Sequence, residues 1–224
     1  QDYIIMANKD SENNPIQYRF LEKDDPIGFV LGNITNCCQH MGGAAESCVV
    51  DGFTSNSSGF LVFEKDVLKN GKPTGEKRII GQAYIWYDAK TETVCYDNIE
   101  IPNSVIKVLN KNAQELKDFE SALVRSADAI LLTMNAEGKN KVKNVTTGTA
   151  YNDLIKILDA KFNKLNNTNF MPRNPNGGVY TDASVQYLIR TYDQATKDYE
   201  KNIRSNLSMA DNMLDRLENN KEMQ

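Results

Sequence analysis

The segment 36–48 gathers side chains that could bind a metal ion or act as nucleophiles. It contains the only histidine of the chain and three of its four cysteines. Thiolates and imidazoles at such spacings are ligands that zinc prefers. The candidate ligands are Cys37, His40 and Cys48, with Cys95 or Asp51 as a fourth. Because the second Cys-x-x-Cys pair of common zinc sites is missing, we expect most of these cysteines to be small buried hydrophobes and expect no metal. A zinc-stabilised binding domain is kept as an alternative.

A second candidate lies between residues 78 and 107, where two strand-like runs are followed by Pro102 and an amphipathic helix. An extended acyl-phosphopantetheine arm can hydrogen-bond to a splayed sheet like an added strand. A pyrophosphate can bind the free N–H groups where a helix begins. This order of elements therefore fits a site for an acyl-CoA.

The elements that would position these residues differ in their hydrophobic period. Strand composition is found at 27–32, 59–64, 78–88, 93–101 and 142–147. Apolar residues at three- and four-residue steps predict helices over 105–134 and 151–162, and a last helix from Thr181 or Asp182, although 179–187 could instead be a strand. Successive strands with short connections predict an antiparallel meander. We expect a mixed α/β (α+β) fold with a mainly antiparallel, centrally splayed sheet flanked by helices.

The domain organisation follows from the same pattern. We expect an N-terminal segment (1–26), one α/β domain (27–180) and a helical C-terminal extension (181–224). The apolar stripe of the extension has charged flanks, so the extension could dock on its own domain or mediate self-association. The chain begins with Gln1 rather than methionine, and we expect a trimmed piece of a larger protein.

Three stretches of the chain resemble the GNAT superfamily of acyl-CoA-dependent N-acyltransferases. They are 79–85 (IIGQAYI), 96–102 (YDNIEIP) and 145–152 (VTTGTAYN). The resemblance covers roughly residues 59–165 and consists mostly of element order and strand composition. It implies a GNAT-like fold and transfer of an acetyl group from acetyl-CoA to a small-molecule or protein amine. The glycine-rich pyrophosphate loop of the family is absent from 102–107, and 36–39 (NCCQ) resembles GNAT-like sequences from phages or mobile elements.

The resemblance also implies roles for individual residues. The cofactor-binding residues would be Asn98, Ile99, Ile101, Ser104, Lys107, Thr147 and Gly148. The general base would be Glu100 or Asp97, or Glu46 from the earlier segment, and Tyr151 would protonate the departing thiolate. The polar candidates for binding the acceptor are Gln39, His40 and Glu46. The alternative is that the strand carboxylates are solvated or paired and that Tyr151 is a core residue.

The composition excludes several classes of protein. Thirty Asp and Glu residues outnumber 26 Lys and Arg residues, and the net charge of −4 argues against nucleic acid as the main partner. No apolar run is long enough to span a membrane. Four cysteines in 224 residues fit a reducing, cytoplasmic setting better than a disulfide scaffold. We therefore expect an N-acyltransferase, with a catalytically silent interaction module of a larger protein as the alternative.

Overall fold

One sheet of seven strands organises the chain in the computed structural model, which describes residues 14–136, 141–148, 153–165 and 186–221, with side chains described to residue 207. The strands are β1 (Gln17–Phe20), β2 (Ser58–Lys69), β3 (Lys72–Asp88), β4 (Thr93–Tyr96), β5 (Asn144–Thr147), β6 (Asn163–Leu165) and β7 (Gln186–Thr191). The helices are α1 (Leu31–Thr35), α2 (Glu46–Thr54), α3 (Asn103–Leu109), α4 (Ala113–Ala136), α5 (Leu154–Lys161) and α6 (Tyr192–Lys221), with a 3₁₀ turn at Pro26–Phe29.

The strand order is β1-β2-β3-β4-β5-β7-β6, and every neighbouring pair is antiparallel except β4 and β5, which run parallel. This confirms the predicted mixed α+β class, with a mainly antiparallel sheet flanked by helices. The sheet includes β1 from the predicted N-terminal segment and β7 from the predicted C-terminal extension. Within the described ranges, no helix is both long and apolar enough to cross a bilayer.

The predicted meander is β2-β3-β4, and its first turn has an evident cause in the sequence. Asn70 and Gly71 connect β2 to β3 with φ angles of 53° and 74°. Two consecutive positive φ angles match the twist of a two-residue hairpin, and Asn-Gly is the pair that adopts them most readily. The turn therefore sets the register where the two longest strands begin to pair, and two irregularities, between Asp66 and Leu68 and between Phe63 and Glu64, shift it further along.

Apolar side chains cover both faces of the sheet. On one face, Tyr84 and Trp86 are buried under residues 26–54, which we call the cap. On the other face, Phe63 and Tyr96 pack with Phe119 of α4. We call these the cap face and the helix face, and a side chain's position along a strand decides which one it joins.

Three element predictions were wrong or incomplete. Residues 27–32 do not form a strand: the carboxylate of Asp25 accepts a hydrogen bond from the N–H of Ile27 (3.0 Å), which starts the 3₁₀ turn and then α1. The helix predicted over 105–134 is two helices, because Asn112 accepts from the N–H groups of Gln114 and Glu115 and begins α4 anew. The last helix begins at Tyr192, after the strand β7.

Candidate functional site

In the described residues, the parallel pairing of β4 with β5 runs to Tyr96 and Thr147, and Gly148 follows it directly. Its N–H donates to the carbonyls of both Tyr96 (2.9 Å) and Asp97 (2.7 Å). Beyond this point, the described backbone bonds of β4's continuation go to β3: Asp97 N–H donates to the Tyr84 carbonyl, and Glu100 exchanges two bonds with Gln82. Over the described residues, which stop at Gly148 on this side, the β4 segment therefore turns with β3 just beyond the ladder between the two parallel strands.

A bulge lies at the same place. On β3, a single residue lies between Gln82 and Tyr84. On the β4 segment, two residues, Asn98 and Ile99, lie between their partners Glu100 and Asp97. An extra residue bends its strand and re-aims the side chains that follow, and such bulges recur beside active sites. Here it leaves Glu100 on the cap face, where it contacts Cys37.

Gly148 permits an unusually close approach at this junction. A Cβ atom at this position would lie 2.6 Å from the carbonyl oxygen of Asp97 and 3.2 Å from Oδ1 of Asn98. The first distance is shorter than any carbon–oxygen contact allows, so a side chain here would push the two strands apart. The Asn98 Oδ1 atom is buried and accepts no hydrogen bond from any other described residue.

Two carboxylates of the β4 segment are held by the loop of the cap that joins α1 to α2 (36–45, the cap loop). Gln39 Nε2 donates to Asp97 Oδ2 at 2.7 Å, and both residues are at most 3% exposed. The Cys37 thiol hydrogen-bonds to the half-buried Glu100, and burial together with this carboxylate raises the pKa of the thiol. At this site Cys37 is therefore a neutral hydrogen-bond donor rather than a thiolate nucleophile.

The cap loop reaches these carboxylates because it returns tightly onto α1. Asn36 ends the helix in the left-handed conformation, and the N–H of Gly32 then donates to the carbonyl of Gln39 (3.2 Å). A Cβ at Gly32 would lie 2.6 Å from the carbonyl oxygens of Cys37 and Gln39. Glycine at this position allows the close return that places Gln39 over Asp97.

Buried amides on this face complete what we call the polar layer: Gln39, Gln82, Asp97, Glu100 and Gln186. Gln39 bonds to Asp97, Gln82 pairs with Glu100 through the backbone, and Gln186 accepts from the thiol of Cys95 at 3.5 Å. Gln82 is fully buried, and neither end of its amide bonds to another described side chain or backbone group. The same holds for Oε1 of Gln39 and Nε2 of Gln186. Buried polar groups are nearly always hydrogen-bonded, so this concentration of free ends indicates a place for water or a polar ligand.

Sequence reasoning missed Gln82 and Gln186, although a signal was present. Gln82 interrupts the apolar run 79–86, and a fully polar side chain in the middle of a buried strand needs an explanation. The pairing of Gln39 with Asp97 spans 58 residues. No local pattern in the sequence could have indicated that contact.

The other predicted site residues occupy varied positions. Ile99 and Ile101 place their side chains in the core of the helix face, so only their backbones could contact a cofactor. Ser104 and Lys107 are exposed on α3, and Thr147 is buried, with its hydroxyl 3.4 Å from the carbonyl oxygen of Gly148. Tyr151 lies outside the described residues.

His40 and Glu46 bond within the cap instead of with the polar layer. His40 Nδ1 lies 3.0 Å from the carbonyl of Met41, and Glu46 accepts from the N–H of Gly42 (2.7 Å). These contacts stabilise the turn of the cap loop. Their predicted role in binding an acceptor stays a prediction.

The proposed zinc ligands are not assembled. In the described part of the chain, no three His, Cys, Asp or Glu side chains are arranged to hold a metal ion. Cys48 and Cys95 belong to the apolar core under the cap, and Asp51 accepts a hydrogen bond from the Tyr84 hydroxyl. All four cysteines are free thiols. A zinc-stabilised domain therefore has no ligand set among these residues.

The comparisons with known proteins find similar solved structures, two of which are described here, and no sequence relative. No protein-family model matches the chain, and no curated protein matches it. An acetyltransferase of the GNAT family from Staphylococcus aureus Mu50 shares 12% identity at a TM-score of 0.42, covering 78% of this chain and 99% of its own. Tetrahymena GCN5 shares 12% identity at a TM-score of 0.40, covering 78% of this chain and 96% of its own. The solved structures named here as similar to this chain are thus a GNAT-family acetyltransferase and GCN5.

Proposed function

We propose that this protein is an acyl-CoA-dependent N-acyltransferase that moves an acetyl group from acetyl-CoA to an amine. The observation that carries the proposal is the turn of the β4 segment with β3 beyond the described β4–β5 ladder, beside a bulge and a polar layer with two carboxylates. An extended arm can add to a strand edge where pairing stops, and its amides need the partners that such an edge supplies. The resemblance described above suggests the same chemistry.

The residues present suit an extended, amide-bearing ligand at this junction. The Asn98 Oδ1 atom is buried, free of described partners, and next to the close approach at Gly148. It could accept a hydrogen bond from an amide N–H of the arm, while the backbone of 98–101 would bind alongside. Acetyl-CoA would supply the activated acyl group. The chain would contribute orientation and the backbone dipoles near the reacting carbonyl.

Glu100 is the residue to which we assign the general base. It is the more exposed of the two carboxylates, and it follows the bulge on the cap face. The neutral thiol of Cys37 donates to it and so holds the carboxylate in place, where its oxygens can accept a proton from an amine. Asp97 is buried and bound to Gln39, so we assign it the positioning of that amide over the polar layer. Tyr151 keeps its predicted role as the acid.

The first experiment is ligand-dependent stabilisation. Acetyl-CoA or CoA at 100 times its Kd should stabilise the fold by about 2.7 kcal/mol, which raises Tm by ~5–11 °C for a chain of this size. ATP serves as a nucleotide control. Glu100→Gln should bind acetyl-CoA normally, keep its Tm and lose most acetyl transfer to a panel of amines. Glu76→Gln, on the exposed hairpin, is the matched control and should retain full activity.

The silent interaction module is the second candidate, and one observation favours it. Residues 102–107 contain no glycine, and α3 begins among them at Asn103, so this segment forms no glycine loop that could wrap a diphosphate. The absence of any stabilisation at millimolar acetyl-CoA and CoA would favour this candidate over the transferase. A cytoplasmic setting and an origin in a phage or mobile element accompany the proposal as predictions.

A further inference from the structure

A cavity of about 570 Å³ lies on the helix face of the sheet, away from the polar layer. It is bounded by the start of β2, the end of β3 and the second half of α4, and Val94 of β4 forms part of its wall. Its volume is within the ~300–1,000 Å³ range of small-molecule sites. None of the residues that we assign to acyl transfer lines it.

Small side chains on α4 leave this space unfilled. Ala129 and Thr133 are one turn apart and both line the cavity, where leucines at the same positions would project into it. The opposing wall consists of Ile85 and Val94 from the sheet, and Phe20 at the end of β1 adds an aromatic side. The sequence thus places large apolar residues around the cavity, Ile130 and Met134 of α4 among them, and smaller ones at Ala129 and Thr133.

The residues that line the cavity are uncharged. The described residues of the wall include no Asp, Glu, Lys, Arg or His. A charged group bound against this wall would lose part of its hydration without gaining a countercharge, which disfavours ionic ligands. The site therefore selects against charge as well as for apolar surface.

Uncharged polar groups are present at one part of the wall. Ser57 and Ser58 are already engaged, because Ser57 Oγ lies 3.0 Å from Ser55 Oγ and Ser58 Oγ donates to the carbonyl of Asp51 (2.9 Å). Asn56 and Thr133 also line the cavity, both are exposed, and no hydrogen bond joins either side chain to another described residue. They could donate to or accept from one polar end of a ligand.

We propose that this cavity binds an uncharged, mainly apolar small molecule with a hydrogen-bonding group at one end. The proposal is independent of the acyltransferase proposal. It rests on the volume, the uncharged wall and the two polar groups, none of which belongs to the β4–β5 junction.

The sole tryptophan gives an assay that needs no direct contact. Trp86 is among the residues that bound the cavity, its side chain packs on the cap face, and energy transfer acts across the thickness of the sheet. Dansylamide is a neutral aromatic probe with a sulfonamide at one end, and it accepts excitation energy from tryptophan. Titration of the full chain should give saturable, sensitised dansyl emission with one probe per chain. The anionic dansyl sulfonate has the same ring system and should bind ~10-fold more weakly or worse.

Substitutions on α4 test whether the probe binds in this cavity. Ala129→Leu/Thr133→Leu fills the cavity and should weaken dansylamide binding by ~10-fold or more, since the added side chains occupy its volume. Ser121→Leu adds a leucine to the exposed face of the same helix and should leave binding unchanged. If the double variant does not fold by circular dichroism, Thr133→Val removes only the hydroxyl and should weaken binding measurably.

Several results would overturn the proposal. Equal binding to the filled variant, or to Thr133→Val when the filled variant does not fold, would place the probe on another apolar surface. Equal binding of the sulfonate would refute selection against charge. The absence of saturable binding, with sedimentation as a dimer, would mean that a second copy covers this face. The absence of binding by a monomer would mean that the cavity takes no such ligand.

Discussion

Replacing Gly148 by alanine tests the close approach on which the candidate site depends. Gly148 does not adopt a positive φ angle, so alanine is conformationally allowed and the cost is steric. The new Cβ would meet the carbonyl oxygen of Asp97 at 2.6 Å, and a backbone atom cannot rotate away as a side chain can. The strands must separate, and the two hydrogen bonds of the Gly148 N–H lengthen or break.

The magnitude follows from two contributions. Forcing extra volume into a packed site costs about 1–3 kcal/mol. Weakening the shared backbone hydrogen bond adds about 0.5–1.5 kcal/mol. We therefore expect Gly148→Ala to lower the free energy of unfolding by about 2–4 kcal/mol, or ~4–16 °C in Tm. Binding of acetyl-CoA should weaken as well, because Asn98 would be displaced.

Urea unfolding monitored by Trp86 fluorescence measures this change, since the side chain is 1% exposed in the folded protein. Gly59→Ala is the matched control in strand β2. There a Cβ would meet only Ile85 Cγ1, at 4.0 Å, an ordinary contact. Because glycine weakens a strand, the control should be neutral or stabilised by up to about 1 kcal/mol.

One result would refute the reasoning. If Gly148→Ala unfolds at the same urea concentration and with the same slope as the unaltered chain, the junction tolerates a side chain. The close approach would then not exist in solution. Stabilisation by acetyl-CoA that is equal in both proteins would in addition remove the junction from the binding site.

Two further predictions concern buried ionisable groups. Lys65 Nζ lies 2.5 Å from Glu115 Oε1, and the two side chains are 6% and 0% exposed. Glu115→Gln should therefore lower the free energy of unfolding in urea by about 3–5 kcal/mol, whereas the double variant Lys65→Met/Glu115→Leu should recover most of that loss. An unchanged midpoint in the single variant would contradict this prediction. Desolvation and the hydrogen bond to Asp159 raise the pKa of Tyr187 from 10.0 to about 12, so the unfolded chain releases this proton first and stability should fall as pH rises from 10 to 12. The fall should be smaller in Tyr187→Phe, and identical pH profiles would show that this phenol is not responsible.

Most of the fold could be predicted from the sequence, because hydrophobic period and turn chemistry are local. Asn70-Gly71 fixed the hairpin, and the stripe from Phe119 to Ile130 indicated a helix covering the sheet. The strand expected at 27–32 failed for a tertiary reason. Its glycines serve close packing, since a Cβ on Gly32 would clash with the returning cap loop, and Asp25 starts a helical turn instead.

Only part of the candidate site could be predicted from the sequence. The β4 carboxylates Asp97 and Glu100 could be proposed from strand composition and resemblance. Their partners Gln39 and Cys37 could not be paired with them, because contacts across some 60 residues depend on how the cap loop folds back. Gln82 shows what a sequence reader could use: an amide inside an apolar strand is costly unless something binds it.

The parallel contact between β4 and β5 also bears on how the chain reaches its fold. Short turns connect strands β2, β3 and β4, so these three can pair as soon as they meet. Strand β5 can pair with β4 only after α3 and α4 have crossed the sheet. Closing that long loop loses chain entropy before any hydrogen bond between β4 and β5 offsets the loss. We therefore expect the β2–β3 hairpin to form first and β5 to pair with β4 late in folding. The junction at Gly148 is thus completed near the end of folding, and slow or incomplete docking would leave β2 to β4 formed but the junction unmade.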